Sequence, residues 1–158
     1  MPPVRRPISW LGFALRLAAA LVWILAGAAK IPTILSFAVI VQRYAILPTF
    51  LAVPFAYGLP FFEIGLGVYL AAGLFVRGTA FIGTLLFAVF LTAQISAVIR
   101  GIALDCGCFG TVVQSTVGPL TIIRDFCLGI PTYLMLAFPS RKLSVDSIWF
   151  GQLDRFPA

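Results

Sequence analysis

Four long apolar stretches constrain this chain more than any other feature: residues 10–29, 51–74, 78–99 and 117–138. Each is long enough to cross a hydrocarbon core about 30 Å thick, which takes roughly 20 helical residues. Backbone N–H and C=O groups in lipid must be satisfied within their own segment, so each stretch is predicted to be a helix. Short connectors between them predict an all-α integral membrane protein, an antiparallel four-helix bundle. Composition agrees, since 61% of residues are hydrophobic and 10% charged, against roughly 25% charged in an ordinary soluble domain. With 158 residues, the expected division is one membrane domain over 1–138 and a tail over 139–158. No internal repeat is evident, which argues against an alternating-access carrier.

Within the spans, Gly65, Gly67, Gly83 and Gly129 are expected to let helices approach closely. Pro54, Pro60 and Pro131 are expected to kink theirs, with neighbouring helices satisfying the freed backbone groups. In the first connector Ile34, Phe37, Ile40, Val41 and Tyr44 recur at helical spacing, predicting a short interfacial helix on the outer membrane surface. A loop tethered by its aromatics is the alternative. Arg5 and Arg6 ahead of a run ending in Ala26-Gly27-Ala28 also permit a signal-peptide reading. The length of the run and Lys30 directly after it instead suggest a span with an anchor at the far surface.

The chain carries 11 Lys+Arg and 5 Asp+Glu, a formal net charge of +6. Its basic residues fall between apolar runs and form no stripe, so the expected partner is the lipid bilayer and not nucleic acid. Arg5, Arg6, Arg77, Arg141, Lys142 and Arg155 fall on one face, and Lys30, Arg43 and Arg100 on the other. The excess of basic residues on cytoplasmic loops then places both termini in the cytoplasm and the first and third connectors outside.

Histidine is absent, which removes imidazole catalysis and most zinc and haem sites from this chain alone. Three cysteines remain. The third connector holds Arg100-Gly101, then Asp105-Cys106-Gly107-Cys108-Phe109-Gly110, and Cys106 and Cys108 are the candidate redox residues. A disulfide between cysteines two apart needs a sharp bend, which Gly107 permits. Such a bond closes a tiny loop, so it stabilises little and is easily reduced, which suits exchange. Binding of Cu(I) by the two thiolates, a structural turn, and a bridge to another protein stay open as alternatives. Cys127 lies ten residues into the fourth span, about 14 Å deep, and is expected to be a small core residue.

Glu63 falls in the middle of the second span, where an isolated carboxylate costs several kcal/mol. Lys30, Arg100 and Arg124 are its candidate partners, with Gln94 and Asp125 also in the outer half. Together with Asp105 these residues are expected to form a polar pocket beneath the cysteine loop. That pocket is either an ion-pair network fixing helix register or a site for a proton, a quinone headgroup or an incoming thiol. Arg16 is expected to snorkel to the cytoplasmic surface.

From about residue 15 to 138 the chain resembles the methylamine utilisation protein MauE family and the wider MauE/DoxX group of redox-associated membrane proteins. The resemblance rests on Ala26-Gly27-Ala28-Ala29-Lys30, Tyr44 with Leu47-Pro48, Pro60-Phe61-Phe62-Glu63-Ile64-Gly65-Leu66-Gly67, and Arg100-Gly101 leading to Asp105-Cys106-Gly107-Cys108-Phe109-Gly110. It implies an inner-membrane protein of thiol–disulfide chemistry beside an extracytoplasmic thioredoxin-like partner, as in maturation of methylamine dehydrogenase. It also implies Cys106 and Cys108 as the redox pair and Lys30, Glu63, Arg100 and Arg124 as family-like polar positions. Quinone-linked membrane disulfide oxidases generally relay electrons through two cysteine pairs, whereas this chain has one pair and a lone Cys127. Either a partner supplies the second dithiol or a quinone approaches the single pair directly. The alternative from another class is a non-catalytic subunit or assembly factor whose cysteine loop binds copper or docks a partner.

Overall fold

Each apolar stretch is a helix, and the limits of each follow from local chain chemistry. The computed structural model describes residues 6–102, 105–107 and 116–137. Helix α1 spans Arg6–Lys30, a single 3-10 turn Ile31–Thr33, α2 Ile34–Arg43, α3 Thr49–Ala72, α4 Val76–Ile99 and α5 Pro119–Ala137. Among the described residues, four helical runs are long and apolar enough to cross a membrane. Among the described residues the extended pairing is one isolated bridge, Asp105 with Thr116.

The first run does not stop at the membrane surface. Pro32 lies in the first positions of the 3-10 turn, where its missing N–H and fixed φ interrupt the α-helical ladder. The chain then re-enters a helix as α2, giving an almost unbroken run from Trp10 to Arg43. Lys30 is consequently buried inside the bundle and not an anchor at the far surface. Helix α2 is the short helix that the spacing predicts, with Phe37, Ala38 and Ile40 buried and Leu35 and Val39 exposed. Helix α3 ends at Gly73, whose φ of 72° is a left-handed helix-terminating conformation that glycine adopts without penalty. The apolar residue Leu74 beyond it therefore lies outside the helix.

The helices close a ring in the order α3, α1, α5, α4. The seam between α1 and α3 is the most extensive, those of α4 and α1 with α5 are intermediate, and that between α3 and α4 is thin. Helix α2 packs on α3. Toward the α3–α4 connector, Val76, Ala80 and Met135 form one apolar layer. Next come Ala19, Ala20, Trp23, Leu66, Leu70 and Phe87, where Trp23 Nε1 donates to Thr132 Oγ1 at 3.2 Å and stacks obliquely on Phe87. Above lie Phe37, Ala38, Ala56 and Leu59. Outside the ring, large apolar side chains such as Phe50, Phe61, Phe81 and Leu120 are exposed, the surface expected of a protein whose solvent is hydrocarbon.

Two glycines make the main seam possible. A Cβ on Gly27 of α1 would lie 2.5 Å from the Pro60 carbonyl oxygen, and one on Gly67 of α3 would lie 2.8 Å from the Ala20 carbonyl oxygen. Gly83 likewise sits against Trp23 and Thr132. Gly65, expected at a seam, has open space around it, and the neighbour of Gly129 is Tyr133 of its own helix. Arg16 also departs from expectation: it leans toward its helix N-terminus, with its guanidinium 5.1 Å from the Phe13 ring centroid, but it is buried and not snorkelled to the surface. We expect Gly27→Ala to destabilise the protein by about 1–3 kcal/mol through overpacking, and Gly65→Ala to change stability little. Unfolding of the two variants in detergent micelles measures this, and equal effects would contradict the described seam.

Candidate functional site

Among the described residues, two polar clusters occupy the bundle interior. In the first, Lys30 at the end of α1 points back along its helix, as the tilt of the Cα–Cβ bond toward the N-terminus allows. Its Nζ donates to Glu63 Oε2 at 2.8 Å, to Glu63 Oε1 at 2.9 Å and to the Ala26 carbonyl at 3.1 Å. These three bonds account for the three N–H groups of an ammonium. Both side chains are at most 1% exposed. The ammonium also stands 5.6 Å from the Phe37 ring centroid and 5.9 Å from that of Phe90, within the range of cation–π attraction.

The second cluster is centred on Asp125 of α5. The third connector dips inward and brings Cys106 against α5, so that Cys106 is buried and its Sγ donates to Asp125 Oδ2 at 3.1 Å. Gln94 Nε2 of α4 donates to the same oxygen at 2.8 Å, and Arg124 Nε donates to Oδ1 at 2.9 Å. Arg124 Nη2 reaches Cys106 Sγ at 3.7 Å. The Cys106 carbonyl accepts from the Tyr44 hydroxyl at 3.4 Å.

Gly107 is what lets the loop dip. Its φ is +70°, and a Cβ there would meet Ile40 at 3.2 Å and Phe37 at 3.4 Å, so both the backbone conformation and the space under α2 require glycine. The far end of α2 is held as well. Ala45 follows it with φ 50°, a strained left-handed conformation for alanine, and Arg100 Nη2 grips the adjacent Tyr44 carbonyl at 2.5 Å. An apolar cavity of about 230 Å³ lies beneath α2, with Cys106, Gln94 and Lys30 on its wall. A second cavity, about 20 Å³, has both Glu63 and Asp125 on its wall together with Trp23 and Phe87. It therefore joins the two clusters across a space the size of one water.

Of the residues singled out in the sequence, the structure joins Lys30 to Glu63, and gathers Gln94, Arg124 and Cys106 around Asp125. Arg100 serves the end of α2 through Tyr44 and Ser96, and Asp105 is exposed. Cys108 lies outside the described residues. Cys127 is exposed on the bundle surface and is not the core residue expected. The central role of Asp125 and the part played by Tyr44 were not predicted. A signal for the first existed, because Asp125 is a second carboxylate within a membrane span and needs partners as Glu63 does.

This arrangement defines a class: an all-α, four-span membrane protein with a buried ion pair and a cysteine thiol docked on an intramembrane carboxylate. Residues 8–138 match the family of the methylamine utilisation protein MauE, and the chain belongs to that family. No curated protein and no solved structure matches the chain.

The ion pair yields a prediction. Lys30→Met or Glu63→Leu alone strands one buried polar partner and is expected to cost about 3–5 kcal/mol, whereas the double variant Lys30→Met/Glu63→Leu recovers most of that loss. A double-mutant cycle read by denaturant unfolding in micelles checks it; additive losses would show that the two charges do not depend on each other.

Proposed function

We propose that this protein carries out thiol–disulfide exchange at the membrane, with Cys106 and Cys108 as its redox pair. The observation that carries the reading is the setting of Cys106: a thiol 3.1 Å from the Asp125 carboxylate and 3.7 Å from the Arg124 guanidinium. Thiolate is the nucleophile and the leaving group in exchange. A neighbouring carboxylate gives the thiol proton a place to go, and a neighbouring cation supplies positive charge to the sulfur. Membership of the MauE family fits this chemistry.

The burial of Cys106 supports different roles for the two sulfurs. Cys106 is only 7% exposed, so an incoming protein thiol has poor access to it, and Cys108 is the entry residue. When the pair is oxidised, a partner thiolate attacks the Cys108 sulfur, the Cys106–Cys108 bond breaks, and Cys106 leaves as a thiolate beside Arg124. The partner's second thiolate then attacks its own sulfur in the mixed disulfide and releases Cys108. Two electrons and two protons pass from the partner dithiol to the pair, and the partner gains one disulfide. The same steps run backwards reduce the partner.

The partner is a thioredoxin-like protein on the extracytoplasmic side of the inner membrane. The distribution of Lys and Arg among the connectors supports that side for the cysteine loop and the cytoplasm for both termini. The process served is disulfide-dependent maturation of an extracytoplasmic protein such as methylamine dehydrogenase.

Single cysteine variants in membranes test this. Cys106→Ser is expected to accumulate a mixed disulfide through attack of Cys108 on the disulfide form of a thioredoxin-like partner, at least several-fold above wild type, and Cys108→Ser to form none. In wild type, a membrane-impermeant maleimide applied from outside labels the pair only after reduction. Trapping by Cys108→Ser alone would reverse the two roles. Full labelling without reductant and no trapping in either variant would refute exchange.

A further inference from the structure

Among the described residues, the cavity beneath α2 is a feature that exchange chemistry does not use. It measures about 230 Å³ and lies where the thin seam between α3 and α4 leaves the ring least closed. The polar side chains that reach its wall are already bonded within the protein. Lys30 donates to Glu63, Gln94 and the Cys106 thiol donate to Asp125, and the Tyr44 hydroxyl donates to the Cys106 carbonyl. The rest of the wall is almost wholly apolar. A space so lined excludes water, so what fills it is apolar as well.

The mouth shows where that occupant comes from. Phe55 of α3 and Val89 of α4 form part of the wall and are also exposed on the exterior of the bundle, where the solvent is hydrocarbon. The apolar group in excess there is the acyl chain of a phospholipid. With about 30 Å³ for a group the size of a water or a methylene, the cavity takes roughly seven such groups. That is part of one chain, and the remainder runs out through the mouth toward a headgroup.

Charge selects the headgroup. Arg100, which caps α4, lies six residues beyond Gln94 and eleven beyond Val89, about 9 Å and about 16 Å along the helix. The longer distance is half of a hydrocarbon core about 30 Å thick. The wall therefore spans the half of the bilayer nearer Arg100, and Arg100 stands at headgroup level. Arg43, in the last turn of α2, is the chain neighbour of Tyr44, whose carbonyl accepts from Arg100. Both arginines are exposed, and Asp105 is the exposed carboxylate among the described residues, so this end of the bundle keeps a net positive charge.

We propose that the cavity binds one acyl chain of an anionic phospholipid, whose phosphate lies between Arg43 and Arg100. The chain completes the packing under α2 against the wall that carries Cys106. This site is independent of the exchange function and stands whether or not the cysteines exchange.

The test uses the full chain in detergent micelles, titrated with dioleoyl phosphatidylglycerol, and with dioleoyl phosphatidylcholine as the control of identical chains and zwitterionic headgroup. Native mass spectrometry is expected to show one phosphatidylglycerol retained per chain, bound about tenfold or more tightly than phosphatidylcholine. The bound lipid is also expected to raise the thermal unfolding midpoint, as a ligand of the folded state does. Val89→Trp at the mouth and Ala93→Trp inside the cavity are each expected to weaken retention about tenfold or more. Arg43→Gln is expected to reduce the preference for phosphatidylglycerol while both lipids still bind. Because Val89 and Arg43 are exposed, their variants keep the test decisive if Ala93→Trp fails to fold. Retention that neither tryptophan variant weakens would overturn the cavity as the site. Equal retention of the two lipids by the wild type, or a preference that Arg43→Gln leaves intact, would overturn the anionic headgroup.

Discussion

A lysine and a glutamate placed in the middle of a hydrocarbon-embedded bundle can be held there only by each other, and the rest of the structure is arranged around that requirement. Lys30 and Glu63 are 33 residues apart in the chain and meet at 2.8 Å. Their contact fixes α1 against α3 both along and around the helix axes. A slip of one turn, about 5.4 Å, would leave two bare charges in an apolar medium, at a cost of several kcal/mol for each. The seam glycines Gly27 and Gly67 lie on either side of this level and allow the backbones close enough for the pair to form. Because α2 continues directly from α1, the same register decides where Phe37 and Ile40 come to rest, and hence where Gly107 and Cys106 find a surface to pack on.

Cys106 owes its position to three different helices. Asp125 of α5 takes its thiol hydrogen bond, Gln94 of α4 shares the same carboxylate oxygen, and Tyr44 at the end of α2 donates to its carbonyl. No single segment specifies the site. Arg124 contributes its charge from the flank, half-exposed, so the sulfur meets both an acceptor and a cation without losing the apolar cover of α2. A polar pocket is thus held inside a lipid-facing fold by a few groups that bond to one another.

The helices were legible in the sequence because hydrocarbon imposes a length on them, and most predicted ends fall within a few residues of the observed helix ends. The exceptions have local causes: Gly73 stops α3 before Leu74, and Pro32 breaks the first run without ending it. Hydropathy reads a charged residue as a boundary, so a linear reading ends the span at Lys30, which the structure buries inside the bundle. What a linear reading did not supply was azimuth. Residues two apart on a helix point roughly 200° from each other. Gly67 lies in the seam and Gly65 in open space; Asp125 faces inward and Cys127 outward. Once one member of such a pair is known to face the core, the other follows, but composition and depth alone treat both as equivalent. The gathering of Gln94, Arg124 and Cys106 on Asp125 depends on helix neighbours that the sequence does not reveal.

The helical run from Trp10 to Arg43 comprises 34 residues, which as a straight rod would measure about 51 Å, some 20 Å more than a typical hydrocarbon core. Most membrane helices accommodate such an excess by tilting or by deforming the bilayer around them. Here the break at Pro32 folds the surplus back over the bundle, and the segment that would otherwise be a mismatch between protein and membrane becomes the lid beneath which a sulfur and a cavity are kept out of water.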